Sequence, residues 1–370
     1  MGIIYNEKAK TFTLHTQNTT YQMQIDAYGF LLHLYYGRKT DGVMDYLLTY
    51  ADRGFSGNPQ DAGNDRTYSL DALPQEFPCR LTGDFRSPVL DLVNADGSFG
   101  CDLRYQGYEI CDGKYNLKGL PAVYAAEEEA QTLIIYMKDQ VTGLQVELLY
   151  GVLPEYDVIT RSAKVINTEE DKIRLTKAQA ACIDFLHGEF DVISFYGRHA
   201  MERNMQRTSV GHGAFVIGSR RGTSSHQYNP MMILAEKETT EDAGTCYGMS
   251  FVYSGGFKAE VEKDQFGQTR MQMGLQEEQF SYPLKKGEEF VIPEVILTCS
   301  NQGLEKLSQN LQRCIRKNLC RGKYKEKVRP VLINSWEACY FDFTGEDIYH
   351  LAEQAKDLGA EIRFEQVTAI

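Results

Sequence analysis

The stretch TLIIYMKDQVTGLQVELLYGVL, residues 132–153, contains the pattern that decides the fold class. Two short runs alternate apolar and polar residues, and Asp139 and Gly143 lie in or beside the connection between them. Alternation with a period of two buries one face of a strand, and a short break with turn residues favours an antiparallel hairpin. This stretch therefore predicts two paired strands.

The same pattern recurs through the first 300 residues. Residues 11–26 give two runs around an Asn-Thr-Thr turn, and residues 158–185 give two runs separated by the turn NTEED. Residues 246–275 predict strands on either side of a turn at Gly255–Gly256. No fixed-period repeat is visible, which argues against a propeller or a solenoid. A mainly β fold is therefore predicted, with residues 1–300 forming a large antiparallel β sandwich.

The pattern changes after residue 300. Within 301–328 an amphipathic linker helix is predicted, because apolar residues recur at helical spacing and Arg and Lys fill the last turns. The periodic apolar residues are Leu304, Leu307, Leu311, Ile315 and Leu319.

Residues 329–370 predict a third kind of structure. RPVLINSWEACYFDF, residues 329–343, begins with a continuous apolar run typical of a strand buried on both faces. A helix should follow, capped by Thr344 with Asp347 three residues on, and closed by Gly359. Strand, loop and helix indicate the first βα unit of an incomplete (β/α)8 barrel.

The composition excludes several classes of partner. The chain of 370 residues has 39 Lys and Arg against 51 Asp and Glu, a net charge of −12, which argues against nucleic acid and anionic membranes. No secretory signal follows the first residues, and no apolar run approaches the length of a membrane span. Nine cysteines without a C-x-x-C pair favour reduced thiols in the cytoplasm. We expect no cofactor and no metal.

The loop after the predicted strand at 329–335 carries the first candidate site. In a barrel, the C-terminal ends of the strands hold the chemistry, so Trp336 could stack on the apolar face of a sugar ring or simply fill a layer of the barrel core. Glu337 and Asp342 could be proposed as a local acid pair. Because both come from one loop, nothing positions them across a glycosidic bond.

Residues 50–88 form the second candidate site. The segment is long and rich in Gly, Asp, Asn and Pro, and long structured loops are often functional. Charged groups held among rings suit recognition of sugar hydroxyls, although a solvated, salt-bridged surface loop would have the same composition. The charged candidates are Asp52, Arg53, Asp61, Asp65, Arg66, Asp84 and Arg86.

Residues 197–230 form the third candidate. His199, Glu202, His212 and His226 contain no pair of histidines at i and i+4, which disfavours a metal site. Ser224 lies two residues before His226, but no G-x-S-x-G turn accompanies it, so a serine nucleophile is disfavoured.

Five stretches carry a family resemblance: ADRGFSGNP, LTGDFRSP, RSAKVIN, RRGTSSHQYNP and RPVLINSWEACYFDF. Together they resemble the α-galactosidases of glycoside hydrolase family 36. The resemblance implies a β-supersandwich followed by a (β/α)8 barrel, and retaining removal of terminal α-galactose from melibiose- and raffinose-type sugars. It implies a homo-oligomer, a tetramer in the full-length family, in which N-terminal loops wall an active site. Trp336 would line the galactose subsite, and Asp52, Phe55 and Arg66 would be the contributors from the N-terminal loop.

The sequence departs from the family after DLGAE, where it reads IRFEQVTAI. The family's aspartate pair followed by Gly-Trp does not appear, and neither do the two catalytic aspartates of later strands. The chain is therefore expected to be the front part of a longer enzyme with a short foreign-looking tail, 362–370, and to be inactive alone. Two alternatives remain: a non-catalytic β-sandwich module for oligomerisation or weak sugar binding, and an unrelated lectin-like binder.

Overall fold

Antiparallel strands dominate the computed structural model, which describes residues 2–54, 57–168, 172–329, 331 and 333–360. The chain divides into two compact units, Met1–Leu319 and Cys320–Ile370. The first unit contains every strand found in the described residues, arranged in three sheets. The predicted mainly β, sandwich-like fold is confirmed.

The first sheet has four strands in chain order, each hydrogen-bonded to the next. They are β1 (Ile3–Asn6), β2 (Thr11–His15), β3 (Thr19–Ile25) and β4 (Leu31–Arg38). The pairing of β2 with β3 confirms the hairpin predicted over residues 11–26, with its turn at residues 16–18.

Sixteen further strands complete the other two sheets. They are β5 (Leu90–Val93), β6 (Leu103–Asp112), β7 (Gln131–Asp139), β8 (Gln145–Leu153), β9 (Val158–Ile166), β10 (Ile173–Phe185), β11 (Phe190–Arg198), β12 (Met201–Ser209), β13 (Gly213–Gly218), β14 (Tyr228–Glu236), β15 (Cys246–Phe251), β16 (Phe257–Lys263), β17 (Thr269–Leu275), β18 (Tyr282–Leu284), β19 (Glu289–Val291) and β20 (Val295–Ser300). The six-stranded sheet has the order β13-β16-β17-β10-β18, with β5 also on β10. The ten-stranded sheet has the order β12-β11-β14-β15-β20-β9-β8-β7-β6, with β19 also on β9.

The hairpin predicted over 132–153 is confirmed, because β7 pairs with β8 through eight registered positions. The turn at Gly255–Gly256 has a different role from a hairpin turn. Strands β15 and β16 on either side of it belong to different sheets, so this connection carries the chain from the ten-stranded to the six-stranded sheet. The hairpin partner of β16 is β17.

The core lies between the sheets and takes side chains from all three of them. Strand β20 illustrates how alternation builds two clusters. Val295 and Leu297 point into the main core, whereas Ile296 between them packs in a second cluster on the opposite face. Successive side chains of a strand point to opposite faces, so a strand covered on both faces is apolar throughout.

A helix covers that second face. Helix α1 (Gly303–Cys314) continues as a π-helical turn over Ile315–Leu319, and Leu307, Leu311 and Cys314 pack on Ile296. The helix predicted from the spacing of leucines is confirmed and lies within the first unit. The predicted domain boundaries at residues 300 and 328 stay predictions.

In the second unit, the strand predicted over 329–335 was wrong for the residues that the structure describes. Val331 and residues 333–335 form no strand, and helix α2 (Trp336–Cys339) follows directly. Pro330 and Leu332 lie outside the described residues. A strand needs a neighbour for its backbone N–H and C=O groups, and the described part of this unit contains no strand to supply one.

Helix α3 (Gly345–Asp357) confirms the predicted helix and its cap. The hydroxyl of Thr344 accepts a hydrogen bond from the backbone N–H of Asp347, whose carboxylate accepts one from the backbone N–H of Thr344. Gly359 follows with φ of 81°, a value that favours glycine. Among the described residues, no helix has the length and hydropathy needed to cross a bilayer.

Candidate functional site

The loop between β4 and β5 brings two of the predicted site residues together. The guanidinium of Arg66 lies 3.0 Å from the carboxylate of Asp52, and the side chains are 63% and 55% exposed. Backbone contacts support the pair, because the N–H of Arg53 donates to the carbonyl of Arg66 at 3.3 Å. Phe55, the third predicted residue of this loop, lies outside the described residues.

The body of the first unit fixes the loop at further points. The guanidinium of Arg53 lies over the ring of Phe266, 4.6 Å from its centroid. The carboxylate of Asp61 accepts a hydrogen bond of 2.9 Å from Arg104 at the start of β6. Hydrogen bonds from the hydroxyl and backbone of Thr67 lower the pKa of the Asp65 carboxyl. The exposed pair Asp52 and Arg66 therefore stands on an ordered loop.

Asp84 and Arg86, also expected to read sugar hydroxyls, do something else. Both are buried, and Nε of Arg86 donates to Asp84 Oδ1 at 2.9 Å. Arg270 then bridges two carboxylates, at 2.8 Å from Asp84 and 2.7 Å from Asp184. Burial raises the pKa of the Asp84 carboxyl, but Arg270 and Arg86 outweigh it and hold that pKa at about 2. This ion network ties the loop to β10 and β17 and leaves no group free for a ligand at Asp84.

The glycine of LTGDFRSP also has a structural role. Gly83 has φ of 97°, and a Cβ there would lie 2.7 Å from the carbonyl oxygen of Gly57. Only glycine allows the two parts of the loop to approach this closely. The 81–88 segment is thereby packed against the 52–66 segment.

Trp336 lies in the second unit, at the start of α2, and is 37% exposed. Its ring makes edge-to-face contacts with Phe341 at 4.8 Å and Tyr340 at 5.6 Å between centroids. Its backbone N–H donates to Oδ1 of Asn334 at 2.8 Å. Asp342 donates its backbone N–H to the carbonyl of Cys339, which places it in the turn that ends α2. Trp336 is thus held by aromatic neighbours with part of its ring open.

The histidines of residues 197–230 are dispersed. His212 binds the carbonyl of Asp264 through Nδ1 at 2.8 Å, and His199 lies in the turn between β11 and β12. Within the described ranges, no cluster of three or more His, Cys, Asp and Glu side chains has an arrangement that could hold a metal ion.

Phe85 was not among the residues predicted from the sequence, although it lies within the motif LTGDFRSP. The ring is 74% exposed although both neighbouring residues are buried. It borders a cavity of about 550 Å³ whose walls include Lys177 and Glu277. The sequence shows an aromatic residue between two charged ones. That pattern indicates an exposed ring only once Asp84 and Arg86 are known to be buried.

Comparison with known proteins identifies the family. The pattern of the glycosyl hydrolase family 36 N-terminal domain matches residues 29–285, and that of melibiase matches residues 289–364. The bifunctional α-galactosidase/sucrose kinase AgaSK of Mediterraneibacter gnavus is 62% identical over 362 residues, which cover 98% of this chain and 39% of AgaSK. The solved galactosidase domain of AgaSK has a TM-score of 0.94 at 62% identity, covering 97% of this chain and 50% of that chain.

Structures with bound sugars are also similar. Variants of the α-galactosidase AgaA of Geobacillus stearothermophilus, solved in complex with raffinose or with stachyose, have a TM-score of 0.92 at 41% identity. These alignments cover 95% of this chain and 49% of those chains. The chain spans about half the length of the α-galactosidases it matches, or less: 50% of AgaA and 39% of AgaSK. It belongs to glycosyl hydrolase family 36.

Proposed function

We propose that this chain is the N-terminal part of an α-galactosidase that releases terminal α-galactose from raffinose- and melibiose-type sugars with retention of configuration. The observation that carries the proposal is the match of consecutive parts of the chain to two patterns, residues 29–285 to the N-terminal domain and residues 289–364 to melibiase. The galactosides raffinose and stachyose bound in the AgaA structures supply the substrate class.

Trp336 is proposed to form part of the galactose subsite. The C–H groups of one pyranose face pack on the electron-rich face of an indole ring. Phe341 and Tyr340 hold the ring edge-on and leave part of it exposed, so the ring is oriented before a sugar arrives. An ordered ring loses little conformational entropy on binding.

Asp52 and Arg66 are proposed to contact the sugar from the N-terminal loop, and Phe55 is proposed as a further contact. Their mutual ion pair uses one carboxylate oxygen and one guanidinium nitrogen at 3.0 Å. Since a carboxylate accepts several hydrogen bonds and a guanidinium has five N–H donors, both groups retain capacity for sugar hydroxyls. The pairing also orients them, which reduces the cost of binding.

Retaining hydrolysis needs a nucleophile and an acid/base, two carboxyl groups about 5–5.5 Å apart. The family resemblance assigns both to aspartates on later barrel strands, in the half of the relatives that this chain does not span. We therefore propose that the 370-residue polypeptide alone does not turn over α-galactosides, and that residues 329–360 begin a (β/α)8 barrel.

The proposed activity is tested by completing the chain. Residues 1–360 are joined to the remaining part of the AgaSK galactosidase domain, and hydrolysis of a chromogenic α-galactoside and the matching β-galactoside is measured. We expect hydrolysis of the α-anomer only, and none from the 370-residue chain alone. A folded chimera that leaves the α-galactoside intact, or turnover by the chain alone, would contradict the proposal.

We also propose a cytoplasmic homo-oligomer, a tetramer in the full-length enzyme, in which the Asp52–Arg66 loop of one protomer walls the site of another. The exposure of that loop suits such a contact. None of the nine cysteines, all of which lie in the described part of the chain, forms a disulfide, which fits a reducing compartment. Light scattering of the chimera should give the mass of four protomers, and a monomer that is fully active would exclude the shared site.

A further inference from the structure

A cavity of about 550 Å³ borders the loop that carries Asp52 and Arg66, and the function proposed above does not use it. Its lining comes from the segment 80–88, from Asp91 of β5, and from Lys177 of β10 and Glu277. Its volume falls within the range of about 300–1,000 Å³ that small-molecule sites occupy. The cavity lies wholly within the first unit.

The exposed ring of Phe85 lines this cavity, and the backbone that carries it is fixed. Its neighbours Asp84 and Arg86 are both buried in the ion network with Arg270, so the backbone on either side of Phe85 is fixed. The ring also abuts the other loop segment, because a Cβ at Gly57 would lie 3.4 Å from its Cζ. Because the ring is 74% exposed and its backbone is fixed, it offers an oriented apolar surface to a ligand.

Pairs of opposite charge line the same cavity as Phe85. Nε of Arg80 donates to Asp91 Oδ1 at 2.7 Å. Nζ of Lys177 donates to the hydroxyl of Ser87 at 2.8 Å and lies 3.5 Å from Glu277 Oε2. Because each cation has a carboxylate beside it, the walls carry no excess positive charge to attract a phosphate. They offer instead fixed donors and acceptors of both kinds.

Single exposed apolar residues are normal on protein surfaces and need no ligand. Phe85 differs from them in three respects. Its backbone is fixed, its ring lines a cavity, and every charged group in that lining is paired. A cavity lined by an aromatic ring together with paired donors and acceptors fits a ligand with one apolar face and many hydroxyl groups. A pyranose has that chemistry, since C–H groups cover its face and hydroxyls its rim.

We propose that Phe85 and this cavity form a further subsite, which takes a neutral sugar unit of a galactoside next to the Asp52–Arg66 loop. Phe85 would stack on the sugar face, and Arg80, Asp91, Lys177 and Glu277 would bind its hydroxyls. The choice of a galactoside rests on the function proposed above, whereas the preference for a neutral sugar follows from the site alone.

Binding of raffinose to the 370-residue chain, measured by isothermal titration calorimetry, tests the subsite. Replacing Phe85→Ala should weaken the Kd about tenfold, the cost typical of a central aromatic contact. Phe85→Tyr should stay within about twofold, because the ring face is retained. Phe99→Ala is the matched control, since Phe99 is an exposed phenylalanine outside the cavity and should bind raffinose like wild type.

Several results would overturn the subsite. These are wild-type affinity in Phe85→Ala, no raffinose binding by the wild-type chain, or equal weakening in Phe99→Ala. A self-association that Phe85→Ala abolishes, without an effect on raffinose, would show that a second copy covers the ring instead. Urea unfolding of each variant separates lost binding from lost folding.

The two proposals fail in different measurements. If the chimera hydrolyses α-galactosides but Phe85→Ala binds raffinose normally, the subsite is wrong and the proposed function stands. If the chimera is folded but inert while raffinose binding depends on Phe85, the sugar site stands and the proposed function fails.

Discussion

The two compact units differ in how many of their charged and aromatic side chains they bury, although single rings such as Phe85 are exposed in the first unit too. In the first unit, Arg161 is 1% exposed and Arg270 is equally buried, each bound to carboxylates that are themselves buried. In the second unit, Phe341 and Tyr349 are exposed, and Trp336 is open over part of its ring. The first unit therefore pairs its buried charged groups with one another. The second unit leaves the apolar surface of its aromatic rings exposed.

This difference separates stability from recognition. A buried charge must be paired, so the first unit depends on long-range contacts that only a completed fold provides. An exposed ring contributes little to the stability of its own unit and remains available to bind. We therefore expect the first unit to resist proteolysis and local opening more strongly than the second unit.

The largest expected contrast is in proteolysis. Residues 321–329 contain four tryptic sites, after Arg321, Lys323, Lys325 and Lys327, in an exposed segment without helix or strand. We expect trypsin to cut there about a hundredfold faster than within the first unit, because local opening costs almost nothing in such a segment. Mass spectrometry of a time course should show a stable fragment ending between residues 321 and 327.

Arg66 provides the internal reference for that digestion. It is exposed but tied to Asp52 on an ordered loop, so cleavage after Arg66 should lag behind cleavage at 321–329. Cutting inside the sheets first, or equal rates at all sites, would remove the distinction between the units.

The next effect tests the buried charges of the first unit. Arg161 lies 2.8 Å from Glu76, which also accepts hydrogen bonds from Tyr21 and Tyr150. Replacing Arg161→Leu should lower the free energy of unfolding by about 3–5 kcal/mol, because it leaves a buried carboxylate without its cation. Urea denaturation measures the change.

The double variant with Glu76→Leu sharpens this prediction. Removing both charges should recover part of the loss, because no unpaired charge then remains buried. Arg66→Leu is the surface control and should leave the urea midpoint nearly unchanged. A double variant as unstable as Arg161→Leu would show that packing, and not the unpaired charge, dominates.

A smaller effect concerns pH. The pKa of Asp84 is about 2 in the folded chain, since Arg270 and Arg86 outweigh the effect of burial, against about 3.9 in the unfolded chain. A lowered pKa in the folded state means that the unfolded chain takes up the proton first. The contribution of Asp84 is therefore complete above about pH 4 and is lost as the pH falls through about 2, by about 2 kcal/mol.

Comparison of wild type with Asp84→Asn isolates this contribution. The difference between their free energies of unfolding should shrink between about pH 4 and pH 2. Asp52→Asn, in the exposed ion pair, should follow wild type throughout. A constant difference for Asp84→Asn would mean that the carboxylate does not titrate in this range.

The sequence predicted those features whose causes are local. Alternation over 132–153 was enough for β7 and β8, and the three-residue spacing of Thr344 and Asp347 was enough for the cap of α3. In both cases the interacting residues are a few positions apart, or lie in consecutive strands joined by a short turn.

What the sequence missed depends on distant partners. Asp84 was predicted to bind sugar hydroxyls because its buried partner Arg270 lies 186 positions away, too far for a local pattern to indicate the pairing. The exposed position of Phe85 follows from that burial. Residues 329–335 have the composition of a strand, but strand formation depends on neighbours that no local pattern specifies.

The smallest predicted effect lies in the second unit, at the cap of α3. Replacing Thr344→Ala removes the hydroxyl that accepts from the N–H of Asp347, which should destabilise the helix by about 1 kcal/mol. Amide exchange within Gly345–Asp357 should accelerate about fivefold, while exchange in the sheets of the first unit stays the same. Thr344→Ser keeps a hydroxyl at the cap and should exchange like wild type. If Thr344→Ala also accelerated exchange in the first unit, the units would unfold together, and the contrast between them would reflect surface exposure alone and not independent stability.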